Sequence, residues 1–267
     1  MKRLGRALLR VLVGRIGSAV ACGAIWAATG AAASANGCTA PVGALFHACA
    51  GEGSASVLVL PGDWPPTDAA VADLLVTGAY TGKDARADGT PAPVGLLIRE
   101  GRLIGRNIAR MDGILVIDAA SGRPGLYRRD RVALGGERYD LSPLDQREAF
   151  FEAARTAGAS VLQSHLLVID GKVDTKAVDG APAAQRRILY TMADGAFGIW
   201  QSEGALTLDE AARIVAEEVA PTMALNLDMG SFDFCLARRP GYEPEPCGVI
   251  GASQMPGRLS NLLRLTR

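Results

Sequence analysis

In the stretch PTMALNLDMGSFDFC, Pro221 to Cys235, a carboxamide and a carboxylate stand two residues apart, Asn226 and Asp228, with Gly230 and Ser231 just behind them. Met223 to Leu227 reads as a short buried strand, so these polar groups fall where its C-terminal end meets solvent, and Gly230 frees backbone N–H groups there. A carboxylate, a carboxamide and a hydroxyl converging at such a point can activate water or hold a sugar. A strand that simply turns at its end presents the same residues, with Asp228 capping nearby amides. His165 is the other candidate acid or base, because an imidazole titrates near neutrality. The alternative for a lone histidine in an apolar strand is a hydrogen-bonded structural residue. Gln163 and His165 share one face of that strand and Ser164 faces the other way, so no Ser–His nucleophile pair is implied.

These residues need a frame. Ser54 to Leu60 and Leu74 to Val76 read as strands, the second ending in the turn Thr77-Gly78-Ala79-Tyr80-Thr81-Gly82. Pro93–Ile98 and Arg102–Arg106 form a hairpin over Arg99-Glu100-Gly101, and 113–118 pairs with 125–129 across Ser121-Gly122. Pro143 to Ala157 is the first convincing helix, with Ala149, Phe150, Ala153, Ala154 and Ala157 on one face and Gly158 as its C-cap. Val161–Ile169 reads as one apolar strand running into Asp170-Gly171, a hairpin signal, and a second hairpin turns at Asp194-Gly195. Thr207-Leu208-Asp209-Glu210 is a capping box that opens a helix ending at Pro221. Strands first, then helices among hairpins, predict an α+β domain: a mixed, largely antiparallel sheet with a few flanking helices, in a single domain.

The N-terminus places Lys2, Arg3, Arg6, Arg10 and Arg15 before an alanine-rich run that closes on Ala33-Ser34-Ala35. This is the pattern of a signal peptide, residues 1–35, cleaved before Asn36. The rival reading is an uncleaved anchor of about 20 residues, but alanine, glycine and serine dominate where an anchor uses leucine and isoleucine. Cleavage predicts a periplasmic or secreted protein with no stable membrane span. Four cysteines then remain: Cys38, Cys49, Cys235 and Cys247. Local pairing, 38 with 49 and 235 with 247, would close two short loops. Four cysteines allow three connectivities, and buried free thiols are the alternative.

A zinc site is not indicated, since no Cys-x-x-Cys occurs and His47 and His165 are the only histidines; no carboxylate cluster suggests another metal, and no cofactor is implied. The chain balances 28 basic against 28 acidic residues. Five of the basic ones and none of the acidic ones lie in the leader, so the mature protein is net acidic and a nucleic-acid partner is disfavoured. Motifs for nucleotides, dinucleotides, serine hydrolases and zinc proteases are lacking.

Taken in order, several segments resemble the phosphodiester glycosidase family, whose bacterial relatives are often exopolysaccharide-related. They are Thr77-Gly78-Ala79-Tyr80, Pro93 to Ile98, Leu162-Gln163-Ser164 with Leu166 to Val168 and Asp170-Gly171, Arg187 ahead of Asp194-Gly195, Ala224 to Asp228, and Leu259 to Leu263. The resemblance implies a glycosidase-like domain over 71–267, preceded by an N-terminal extension over 36–70 that carries a disulfide. It implies hydrolysis of a sugar phosphodiester at the anomeric carbon. Asp228 would deprotonate water or stabilise positive charge, aided by Asn226 and His165. Arg187 would hold the phosphate through two oxygens. Thr77, Gly78 and Tyr80, with Gln163, Gly230 and Ser231, would complete the substrate site. Thr77 and Ala79 replace an asparagine and a glycine of the family, and Met229 interrupts a glycine run. These changes point to the alternative of a non-catalytic carbohydrate-binding or assembly protein on the same scaffold.

Overall fold

Alternating apolar residues resolve into sheets that share one core. The computed structural model describes residues 38–64, 72–238, 242–251 and 253–267; the leader lies outside them. All described residues belong to one compact unit, 33–267. Strands β1 (Ala44–Ala48), β2 (Ser54–Val59), β3 (Leu74–Thr77), β4 (Thr81–Ala85), β5 (Pro91–Pro93), β6 (Leu97–Arg99), β7 (Arg102–Gly105), β8 (Gly113–Ile117), β9 (Pro124–Arg128), β10 (Val132–Leu134) and β11 (Glu137–Tyr139) precede helix α1 (Leu144–Ala157). Then come β12 (Ser160–Ser164), β13 (Leu166–Ile169), β14 (Lys172–Val173), β15 (Ala184–Thr191), β16 (Phe197–Leu206), helix α2 (Leu208–Glu218), β17 (Met223–Asn226), β18 (Cys235–Ala237), β19 (Glu245–Pro246) and β20 (Asn261–Thr266).

Three larger sheets have the orders β1-β16-β15-β17-β13-β14, β7-β6-β12-β8-β9 and β19-β18-β3-β20-β2; β4 with β5 and β10 with β11 make two-stranded ribbons. Every ladder among the described residues is antiparallel, so the expected mixed sheet has no parallel pair there. Tight turns explain this: hairpins at Arg99–Arg102, Asp170-Gly171 and Asp194-Gly195 bring each strand straight back, and none of these links is long enough for a crossover. The described residues are sheet-dominated, with two α-helices among them.

Inner faces of all three sheets meet in a core that includes Phe46, Val57, Val76, Leu97, Leu115, Leu162, Leu189, Leu225 and Leu263. Helix α1 covers the outer face of β6, β8 and β12, where Phe150, Phe151 and Ala154 bury against Ile98, Ile114 and Val161. Its buried stripe is Phe150, Phe151 and Ala154 rather than the expected Ala149 and Ala157, which are exposed. Spacings of one, three and four residues follow a helix face, and the two phenylalanines remove far more apolar area from water than alanines can. Helix α2 opens with the expected capping box at Thr207 and Glu210, and packs Ala211, Ala212 and Val215 on the outer face of β13, β15 and β17.

The predicted strand Val161–Ile169 is two strands. Ser164 pairs with Gly113 in one sheet and Leu166 pairs with Leu225 in another, so the chain changes sheets at His165. Gly113 makes this corner possible: a Cβ there would strike the Leu225 side chain, the Ser164 carbonyl and Leu166.

The two disulfides are Cys38–Cys49 and Cys235–Cys247, the local pairing. A peptide map under non-reducing conditions is expected to recover those two cross-linked pairs and no other. Replacing Cys235 and Cys247 together by Ser should cost about 3 kcal/mol in urea unfolding, the loop-closure value for a loop this short.

Candidate active site

Asp228 follows the end of β17 and is 4% exposed. Its own N–H donates to the Gly78 carbonyl (3.0 Å), which places the carboxyl beneath the turn after β3. Oδ2 accepts from the Thr81 N–H (3.0 Å) and Oδ1 from the Met229 N–H (2.9 Å). Burial nevertheless wins over these two amides: it pushes the carboxyl up to about 6, with Asp233 adding a smaller push in the same direction.

The turn is fixed from below by Asn261, fully buried on β20. Its Oδ1 accepts from the Ala79 N–H (2.8 Å) and its Nδ2 donates to the Ala79 carbonyl (3.1 Å), imitating a ladder where the sheet has ended. Gly78 is required here, because a Cβ would run into Asn261 Oδ1. Ser260 and Thr81 complete the brace through their hydroxyls, 3.1 Å apart.

Asn226, 1% exposed, donates from Nδ2 to Tyr80 Oη (2.5 Å) and to the Leu227 carbonyl (2.9 Å). Its Oδ1 is buried with no partner in the protein. Tyr80 accepts one bond at Oη and keeps its own proton to donate. Burial first, then the Asp228 charge, push this phenol up to about 12, so it is a neutral donor at any physiological pH. The His165 ring meets Tyr80 edge-on, centroids 5.9 Å apart at 76°. Burial lowers the His165 pKa against the opposing pull of Asp112, which favours a neutral imidazole. Tyr80 and His165 wall a cavity of about 370 Å³ together with Lys176, Val178, Arg186 and Asp209. Carboxyl, carboxamide and phenol therefore form one polar cluster, and Tyr80 is its face toward a basic cavity.

Several expected site residues serve the frame instead. Arg187 has no exposed surface: Nη1 donates to Asp233 Oδ1 (2.6 Å) and Nη2 to Gln201 Oε1 (2.6 Å), an internal ion pair rather than a phosphate clamp. Strand alternation sends its neighbour Arg186 the other way, into the cavity. Gln163 spends both ends of its amide on backbone, accepting from Leu96 and Ala109 and donating to Ala109 and Met111. Thr77 is equally committed, donating to the Phe232 carbonyl (2.7 Å) and accepting from the Phe234 N–H (2.9 Å). Gly230 and Ser231 lie in a short 3-10 turn, Gly230–Phe232, with Ser231 exposed. The hydroxyl that joins Asn226 and Asp228 is thus the Tyr80 phenol, not Ser231.

Arg186, Lys176, Thr81, Ser260 and Asn261 are the contributors that sequence reading missed. Gln185-Arg186-Arg187 held a signal for the first of them, since adjacent arginines on a strand must face opposite sides. Among the described residues, the one grouping of three metal-ligating side chains lies away from this site, on and beside β1.

No protein-family model matches the chain, and no curated protein sequence matches it. A solved structure shares its fold. A Burkholderia pseudomallei K96243 protein described as exported superposes with a TM-score of 0.52 at 13% identity, over 80% of this chain and 71% of that one. The zebrafish N-acetylglucosamine-1-phosphodiester alpha-N-acetylglucosaminidase catalytic domain, auto-inhibited by its pro-peptide, gives a TM-score of 0.48 at 13% identity, over 80% and 73%.

Two measurements separate frame from site. Arg187→Met should lower stability by about 3–5 kcal/mol in urea unfolding, because Asp233 is left buried and charged. Arg186→Met should cost about 1–2 kcal/mol, because only the Leu206 and Pro182 carbonyls lose a donor.

Asp228 makes a pH-dependent contribution of definite sign. Its folded pKa is raised, so its ionisation favours unfolding. The penalty is nil below about pH 4, grows as pH rises to about 6, and is constant above, reaching at most about 3 kcal/mol. The stability of Asp228→Asn relative to wild type should rise over that window and then level off, as measured by urea unfolding at a series of pH values.

Proposed function

We propose that the protein is an exported hydrolase that cleaves the bond between a sugar's anomeric carbon and the oxygen of a phosphodiester, in envelope or exopolysaccharide metabolism. The observation that carries this reading is Tyr80, shared between the Asp228–Asn226 cluster and a cavity whose charged walls include Arg186 and Lys176. A negatively charged phosphodiester suits the cationic wall, and a sugar ring suits the aromatic edges of Tyr80 and His165. The ordered resemblance of the sequence to phosphodiester glycosidases supports the same substrate class. Export is supported by the basic, alanine-rich leader and by two disulfides.

In this scheme water attacks the anomeric carbon, the C–O bond breaks and the phosphomonoester departs. Phosphate leaves readily, so little acid assistance is needed and stabilising charge matters more. Asp228, ionised above about pH 6, takes the water's proton or faces the positive carbon. Arg186 and Lys176 hold the phosphate, and the Tyr80 phenol donates to a sugar or phosphate oxygen. One observation favours the second reading, a binding protein without turnover: both Asp228 oxygens already accept backbone amides.

A panel of sugar-1-phosphodiesters, assayed for free sugar and phosphomonoester, decides between them. Hydrolysis is expected, with kcat falling about 10²–10⁴-fold in Asp228→Asn, KM rising in Arg186→Met, and a rate that climbs with pH through about 6 in wild type only. Saturable binding with no release of sugar would establish the second reading.

A further inference from the structure

A second polar cluster lies on β1, outside the cavity already described. His47 sits opposite Gly198 on β16, and Gly198 sits opposite Tyr190 on β15, so the three residues form one row across three strands. The middle residue has no side chain, and a Cβ there would collide with the Tyr190 hydroxyl. Across that gap His47 Nδ1 and Tyr190 Oη meet at 2.9 Å, their rings stacked at 6.0 Å. The other ring nitrogen, Nε2, lies 3.2 Å from Cys38 Sγ. Cys49, one residue beyond the end of β1, is the disulfide partner of Cys38, with Cα atoms 6.0 Å apart. Cys38 Sγ, Cys49 Sγ and a His47 nitrogen all lie within 4.8 Å of one another.

We propose that this cluster, once its disulfide is opened by a dithiol reductant, is a binding site for a thiophilic divalent cation such as Zn²⁺, with Cys38, Cys49 and His47 as ligands. The reductant gives two electrons and two protons, the S–S bond breaks, and two thiols form while the dithiol becomes a disulfide. The cation then displaces both thiol protons and takes two thiolates and Nε2, leaving a fourth position for water or a substrate atom.

Three features separate this arrangement from a disulfide that merely has a histidine nearby. Nε2 faces sulfur at close range. The opposite nitrogen is held by a buried hydroxyl that can accept Nδ1–H, the outer contact that fixes the tautomer of metal-binding histidines. Cys38 lies ahead of β1 in non-repetitive backbone, so the sulfurs can separate from bonding distance to the spacing of two ligands without disturbing a ladder.

The test uses the mature protein, reduced under conditions in which its circular dichroism stays native, and titrated with Cd²⁺ as a spectroscopic stand-in for Zn²⁺. Expected is one equivalent per chain, read from the ultraviolet thiolate-to-metal band. That band should vanish in Cys38→Ser/Cys49→Ser, which keeps the 235–247 pair. Affinity should drop at least about 10-fold in His47→Gln and by a similar factor in Tyr190→Phe, with circular dichroism unchanged in both. Zn²⁺ added before air should also slow reoxidation of the wild-type thiols. The proposal is overturned if no band appears, if the band survives in the double serine variant, if His47→Gln binds as tightly as wild type, or if reduction alone unfolds the chain.

Discussion

The buried pair of Arg187 and Asp233 is the constraint on which the candidate site depends. Arg187 belongs to β15 and Asp233 to the loop that returns from β17, so their 2.6 Å contact ties the loop to the sheet from inside. Neither residue has water to fall back on, and moving two ions into a protein interior costs several kcal/mol each unless hydrogen bonds complete the shell. Gln201 takes the far side of the guanidinium, and Arg187's carbonyl accepts the Leu227 N–H at 2.9 Å. Asp233's carbonyl in turn holds the amides of Val249 and Ile250, and Phe234's carbonyl holds that of Thr77. One ion pair therefore sets the path of 227–234 and, through Thr77, the start of the turn that carries Tyr80.

This arrangement divides two neighbouring arginines and two neighbouring aspartates into opposite roles. Arg187 and Asp233 neutralise each other in the frame. Arg186 lines the cavity, and Asp228 is balanced only by amide dipoles. Burial without a cationic partner pushes the Asp228 carboxyl up to about 6. The same burial makes its charge a liability for stability.

Much of the frame was legible because local rules governed it. Hairpins at Asp170-Gly171 and Asp194-Gly195, the capping box at Thr207 and the C-cap at Gly158 each depend on a few adjacent residues, and each stands as the sequence implied. Asp228 and Asn226 were legible as polar groups at the end of an apolar strand. The sheet change at His165 was not, because a continuous apolar run gives the same periodicity whether it stays in one sheet or crosses to another; the separate pairings of Ser164 and Leu166 show it. Nor could the fate of Gln163, Thr77 and Arg187 be read. A polar residue in a buried strand looks alike in sequence whether it faces ligand or backbone, and the partners that decide this lie 46 to 157 residues away.

That distinction bears on the departures from the phosphodiester glycosidase pattern. Thr77 and Ala79 are both fully buried, the first bonded to the 232–234 segment and the second packed in the central core. Neither side chain lines the cavity beside Tyr80. Ala79 contributes to the turn through its backbone, whose N–H and carbonyl are both taken by Asn261, and a change of side chain leaves those bonds intact. Thr77's hydroxyl acts as donor and acceptor within the frame. Thr77 and Ala79 thus act in the support of the turn rather than in the cavity. Tyr80 and Arg186 line that cavity, whereas Asp228 and Asn226 lie buried, Asn226 bonded to the Tyr80 phenol.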